Sequence, residues 1–217
     1  MKISDLESFE PFLPQGAVVM ISSKQHQLKA LYRRFEHCQN CRLGAQRQNL
    51  VFGEGNPESK VIFIGEGPGE EEDLQGRPFV GRAGKLLDRM LAAIGLDRSD
   101  IYIANTVKCR PPNNRVPAPE ELNACSPLLQ EQISIIEPKF LFTLGKTATH
   151  SLLPLQDPIS QMRGNWYDYP PIPEIKLLPS FHPAYLLRNP SAKKAAWHDL
   201  QLLAAELGNP QKKPSHL

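Results

Sequence analysis

The sequence predicts an α/β fold, a parallel sheet sandwiched by helices, and three observations carry that expectation. Four short apolar runs, "KVIFIGEG" (60–67), "IYIANTVK" (101–108), "FLFTLGK" (140–146) and "IKLLPSF" (175–181), read as buried strands. Helical periodicity alternates with them. The residues richest in chemistry follow the strands, where open α/β sheets bind ligands.

In chain order, residues 1–23 read as an N-terminal extension, 24–208 as the folded domain and 209–217 as a polar tail. Leu28, Leu31, Tyr32 and Phe35 recur at helical spacing and lead into a Cys-x2-Cys pair, Cys38 and Cys41. The stretch "GKLLDRMLAAIG" presents Leu86, Leu87, Met90, Leu91 and Ile94 on one face and stops at Gly95. "SPLLQEQISII" predicts a helix capped by Ser126 with Pro127 in its first turn. A last helix is expected in "NPSAKKAAWHDLQLLAAELG", with Trp197, Leu200, Leu203 and Leu207 inward. The count is four strands, with no internal repeat.

At 217 residues with a formal charge of +2, composition names no partner. No run has the roughly 18 to 20 apolar residues of a membrane span, and the N-terminus carries acids where a signal peptide is basic, so a cytoplasmic protein without membrane contact is expected. In that compartment four cysteines, at 38, 41, 109 and 125, suit metal better than disulfides. One Cys-x2-Cys pair plus two scattered cysteines favours iron–sulfur while leaving zinc open.

The segment "GEGPGEEEDLQGRPFVGRAG" (65–84) combines six glycines, four glutamates and two arginines directly after the first strand. It matches neither the dinucleotide fingerprint nor the phosphate loop, because Pro68 and Glu70 stand in the wrong places and Gly81 is not followed by Lys-Ser/Thr. The glycines instead allow backbone to approach a bound group closely. In "PSFHPAYLLRNPS" (179–191), His182 sits on a stiff loop past the last strand.

Together, "GEGPGEEED", "GRPFVGRAG", "NTVKCRPP", the four-cysteine layout and "HPAYLLR" resemble the family 4, iron–sulfur uracil-DNA glycosylases over roughly residues 27 to 207. The resemblance implies a three-layer α/β/α sandwich around a four-stranded parallel sheet, with a structural 4Fe-4S cluster on Cys38, Cys41, Cys109 and Cys125. It also implies a monofunctional enzyme, expected to be monomeric, that flips uracil out of DNA and hydrolyses its N-glycosidic bond. Glu66 and Gly67 would line the uracil pocket, Phe79 would stack on the ring and Asn105 would read its pairing edge. His182 would donate a hydrogen bond to O2 of the departing base. Leu186 would wedge into the duplex and Arg188 would face phosphate. Family 1 members orient the attacking water with an aspartate where this chain has Gly67, so Glu72 is expected to help, with Glu66, Glu71 and Asp73 as rivals. The inserted basic loop and histidine of a covalently trapping branch are absent from "KCRPPNNRVPAPEELNAC", which implies hydrolysis. Lys108, Arg110, Arg115 and Arg188 are candidates for a basic track. A non-catalytic metal-dependent DNA-binding module is the alternative, and an electron carrier is disfavoured.

Overall fold

A computed structural model describes residues 22–208, so the proposed extension, apart from its last two residues, and the tail lie outside the described residues. The four expected strands form as Val61–Gly65 (β2), Tyr102–Asn105 (β3), Phe140–Leu144 (β4) and Ile172–Ser180 (β6), and they pair in parallel. Two short strands, Glu54–Gly55 (β1) and Tyr167–Tyr169 (β5), add antiparallel edges, giving a mixed sheet of order β1-β3-β2-β4-β6-β5. The sheet is therefore six-stranded rather than four-stranded. Strands of two and three residues are too short to leave an alternating pattern in sequence.

Alternation along each central strand splits the core in two. Ile62, Ile64, Ala104, Leu141 and Leu177 pack with the helices Ser23–Phe35 (α1), Pro119–Ile136 (α4) and Lys146–Leu152 (α5) on one face. Val61, Phe63, Ile103, Phe142 and Leu178 pack with Arg82–Ala93 (α3), Pro183–Arg188 (α7) and Lys193–Leu207 (α8) on the other. This is the α/β/α sandwich expected. Two small helices complete it, Glu70–Gln75 (α2) and Ile159–Met162 (α6).

Two helix starts differ from expectation. α1 begins at Ser23, where the Ser22 side chain accepts the Gln25 N–H, so helix occupies the end of the segment read as extension. α4 begins at Pro119, not at Ser126, because the Glu121 carboxylate accepts the Ala118 N–H at 2.8 Å and terminates the helix there. Pro127 lies inside α4. Among the described residues no helix is long and apolar enough to cross a membrane.

Candidate active site and cysteine centre

The carboxyl ends of the four parallel strands open into a cavity of about 540 Å³. β2 contributes the following residues Glu66 and Gly67, β3 its last residue Asn105, β4 Leu144 with Gly145, and β6 leads to His182. The crossover from β2 runs to β3 on one side, and the one from β3 returns past β2 to β4 on the other, so the crevice lies at a topological switch point. Phe79, Glu72, Lys146 and Arg188 complete the walls.

Asn105 is 1% exposed, and its Oδ1 has no hydrogen-bond partner among the described residues. A buried amide oxygen left unpaired is costly, so it calls for a donor from a ligand. Gly65 makes the geometry possible: a Cβ there would lie 2.4 Å from Asn105 Oδ1 and 2.6 Å from Phe79 Cζ. The absent side chain lets the aromatic ring and the amide meet over the end of β2. The Phe79 and His182 rings are 5.7 Å apart and tilted by 32°.

His182 caps α7, its Nδ1 accepting the Ala184 N–H at 3.1 Å. That bond assigns the lone pair to Nδ1, and in the neutral ring the proton to Nε2. Burial lowers the His182 pKa to about 4, with the Arg188 cation acting in the same direction, so the ring is neutral at physiological pH. The site holds a neutral N–H donor rather than an imidazolium.

The two acids expected to assist water differ. The Glu66 carboxylate accepts the Thr147 hydroxyl, while its backbone carbonyl accepts the Thr106 hydroxyl. Glu72 is committed to the backbone: Oε1 accepts the N–H groups of Val80 and Gly81 at 2.9 Å each, and Oε2 accepts that of Gly69 at 3.1 Å. Glu72 thus ties the loop carrying Phe79 to the start of α2. Gly67 leaves no room for an acid in its place, because a Cβ there would approach Val107 Cγ2 to 2.8 Å with Pro111 and Pro117 behind.

α7 corrects the expected wedge. Helical phase turns Pro183 and Leu186 inward, and Leu186, 1% exposed, packs in the core beside α3 and α8 instead of projecting outward. Tyr185 and Leu187, each 40% exposed, are the outward apolar side chains of this helix. Val116, which also lines the cavity, is 61% exposed.

The expected basic track is also rearranged. Lys108 is fully buried and donates to the Asn105 carbonyl at 2.8 Å, so it cannot meet a phosphate. Arg115 forks onto Glu121, which it holds down to a pKa of about 2 with the Ala118 N–H and Arg42 assisting. Arg110 bonds Asn114 and lies 3.7 Å from Glu70. Arg188 lines the cavity, joined by Lys146, which nothing in "TLGKTA" marks in sequence.

The four cysteines come together from three segments. Cys38 and Cys41 lie in the turn after α1, Cys109 follows β3, and Cys125 is on α4. All four line one small cavity with Phe35, Leu50 and Leu128 and with two cations, Arg47 and Lys108. Arg47 donates to Cys109 Sγ at 3.0 Å. Burial raises the Cys125 thiol to about 11. Among the described residues no group of three or more His, Cys, Asp or Glu side chains is placed to hold a single metal ion.

A switch-point cavity with an aromatic platform, an orphaned amide and a neutral histidine is accompanied by a direct match. Residues 52–201 fit the family model for the uracil DNA glycosylase superfamily, and the chain belongs to that superfamily. Within it the relatives are specific. The chain is 47% identical over 170 residues to the type-4 uracil-DNA glycosylase of Thermotoga maritima, covering 78% of this chain and 88% of that one. It is 44% identical over 178 residues to the type-4 enzyme of Saccharolobus solfataricus, covering 79% and 82% of the two chains. Against that of Archaeoglobus fulgidus it is 39% identical over 189 residues, covering 85% and 95%. The protein belongs to the type-4 uracil-DNA glycosylases.

Proposed function

We propose that this protein excises uracil from DNA by hydrolysis, leaving an abasic site for base excision repair. The observation that carries the reading is the orphaned Asn105 Oδ1 at the cavity wall. Uracil N3–H supplies the missing donor. Cytosine presents an acceptor at N3 and leaves the buried oxygen unpaired, a mismatch that a site built for specific polar contacts rejects strongly.

A flipped uracil stacks on Phe79 and lies against the backbone of Glu66 and Gly67, with its pairing edge on Asn105. His182 donates Nε2–H to O2, where negative charge grows as the glycosidic bond breaks. A donor fixed before the reaction contributes most in a site closed to water. Glu66 is the acid we assign to orienting the water that attacks the sugar, because the Glu72 oxygens are already engaged by the backbone. Leu187, in place of Leu186, fills the space vacated in the duplex, and Arg188 with Lys146 faces the phosphates.

Cys38, Cys41, Cys109 and Cys125 would hold a 4Fe-4S cluster. The donor set fits: four thiols line one cavity, and Arg47 and Lys108 beside them supply positive charge for an anionic cluster. When bound, the cluster supplies a cross-link between α1, the β3 loop and α4. The two cavities share no lining residue, which supports a structural role.

The test is cleavage of matched oligonucleotides carrying a single uracil, cytosine or thymine, followed by alkali, with cluster-loaded protein and a His182→Ala control. Uracil-only cleavage that falls roughly 100- to 1,000-fold in the control supports the reading. Tight DNA binding without cleavage by the wild type would favour a non-catalytic module.

A further inference from the structure

Phe79 adopts a backbone that its own chemistry opposes. Its φ is +54°, in the left-handed region where a side chain bearing Cβ is disfavoured and a bulky aromatic especially so. Such a conformation persists only when its surroundings over-determine it. Here the restraints come from two sides. From the cavity side, Glu72 takes the N–H groups of Val80 and Gly81. From outside, Arg98 donates one Nη to the Pro78 carbonyl at 3.1 Å and the other to the Phe79 carbonyl. Arg98 is itself fixed, by Asp88 at 2.7 Å through Nε and by Glu54 at 2.7 Å through Nη1. Glu54, 9% exposed, stands on the sheet edge and also accepts from Arg77 at 2.8 Å. α3 adds a steric stop, since a Cβ on Gly84 would lie 1.8 Å from the Phe79 oxygen.

Neither Arg98 nor Glu54 lines the cavity. We propose that Arg98, anchored by Glu54, is a positioning residue that works with Glu72 to lock Phe79 as the stacking platform for the extruded base. The inference rests on the proposed uracil site and adds how that site is held ready. Without the guanidinium fork, the Pro78 and Phe79 carbonyls lose their side-chain donors, the Gly84 contact alone does not hold residue 79 at positive φ, and the ring leaves its place over β2. Glu72 acts in the same way, through loop geometry and not through water.

A double-mutant cycle on product inhibition tests this. The inhibition constant of free uracil would be measured for wild type, Arg98→Ala, Phe79→Ala and the double variant, with thermal melting of each. Base–aromatic stacking predicts that Arg98→Ala weakens uracil inhibition roughly tenfold. It also predicts that the double variant is no weaker than Phe79→Ala alone, because Arg98 acts through Phe79. Arg98→Lys keeps a cation for Glu54 and Asp88 but lacks the fork for two carbonyls, and it should show the same loss; it carries the test if Arg98→Ala does not fold. Unchanged uracil inhibition in a cooperatively melting Arg98 variant, or additive losses in the double variant, would overturn the proposal. A wild type that neither cleaves uracil DNA nor is inhibited by uracil would instead sink the functional reading on which it stands.

Discussion

The two cavities of this molecule are held open by different means. The larger one is framed by protein hydrogen bonds: strand ends, the Glu72 carboxylate and the Arg98 guanidinium fix its walls before any ligand arrives. The cysteine cavity is bounded largely by turns, and its own apolar cluster is small, Leu43, Val107 and Cys109 with a few partly buried neighbours. It also keeps two cations against its thiols. One region is preorganised for the proposed transient base, and the other is the proposed seat of a permanent cluster. The contrast implies that damage to the first appears in rate and damage to the second in stability.

The strongest way to break that contrast is to remove a ligand of the proposed cluster. Cys109→Ala should lose the cluster's visible absorbance and several kcal/mol of stability, lowering Tm by roughly 10 °C or more, since ligand binding here is folding free energy. His182→Ala, by comparison, should lose only its cap on α7, about 1 kcal/mol and a few degrees of Tm, while losing rate. An equal fall in Tm in both would erase the distinction.

Adjacent leucines sharpen it further. Leu186→Ala empties a core position and should cost about 2–5 kcal/mol of stability, measured by denaturant unfolding. Leu187→Ala should stay within about 0.5 kcal/mol of wild type, yet lower uracil excision from duplex more than from single strands. The reverse assignment would return the wedge to Leu186.

The smallest effect concerns pH. The folded-state pKa of His182, about 4, lies below its ordinary value of 6.5. Its contribution to stability is therefore fully present above pH 6.5 and is lost as pH falls from there through 4. Activity that depends on neutral His182 should show no inflection near 6.5 and change only near 4, where protonation of Nδ1 removes the acceptor for the Ala184 N–H. An acid limb in kcat at 6 to 7 that disappears in His182→Gln would contradict the neutral ring.

Much of this was legible in the residues. The parallel strands announce themselves because burial on both faces demands unbroken apolar runs, and the chemistry at their ends follows. What the chain concealed was phase and partnership. "AYLLR" offers two leucines, and only the start of α7 at Pro183 decides which faces outward. "EEED" offers a run of acids, and only the return of the chain at Val80 and Gly81 commits Glu72 to backbone. Lys108 reads as a surface cation beside a cysteine until the Asn105 carbonyl claims it. Ser126-Pro127 imitates a helix start because local capping chemistry is the same wherever it occurs, and Glu121 decided the matter seven residues upstream of Pro127's neighbour Leu128.

The short outer strands carry a consequence for life in concentrated solution. A sheet of four buried parallel strands would expose two long rows of unsatisfied amides, the template on which chains add to one another. Here β1 offers only Glu54 and Gly55, and β5 offers three residues interrupted by a bulge at Asp168 and Tyr169 and bearing a charge at its centre. Neither rim gives a foreign strand enough register to hold. The most apolar part of the fold is fenced by its least regular strands, which leaves no long edge on which another strand can extend the sheet.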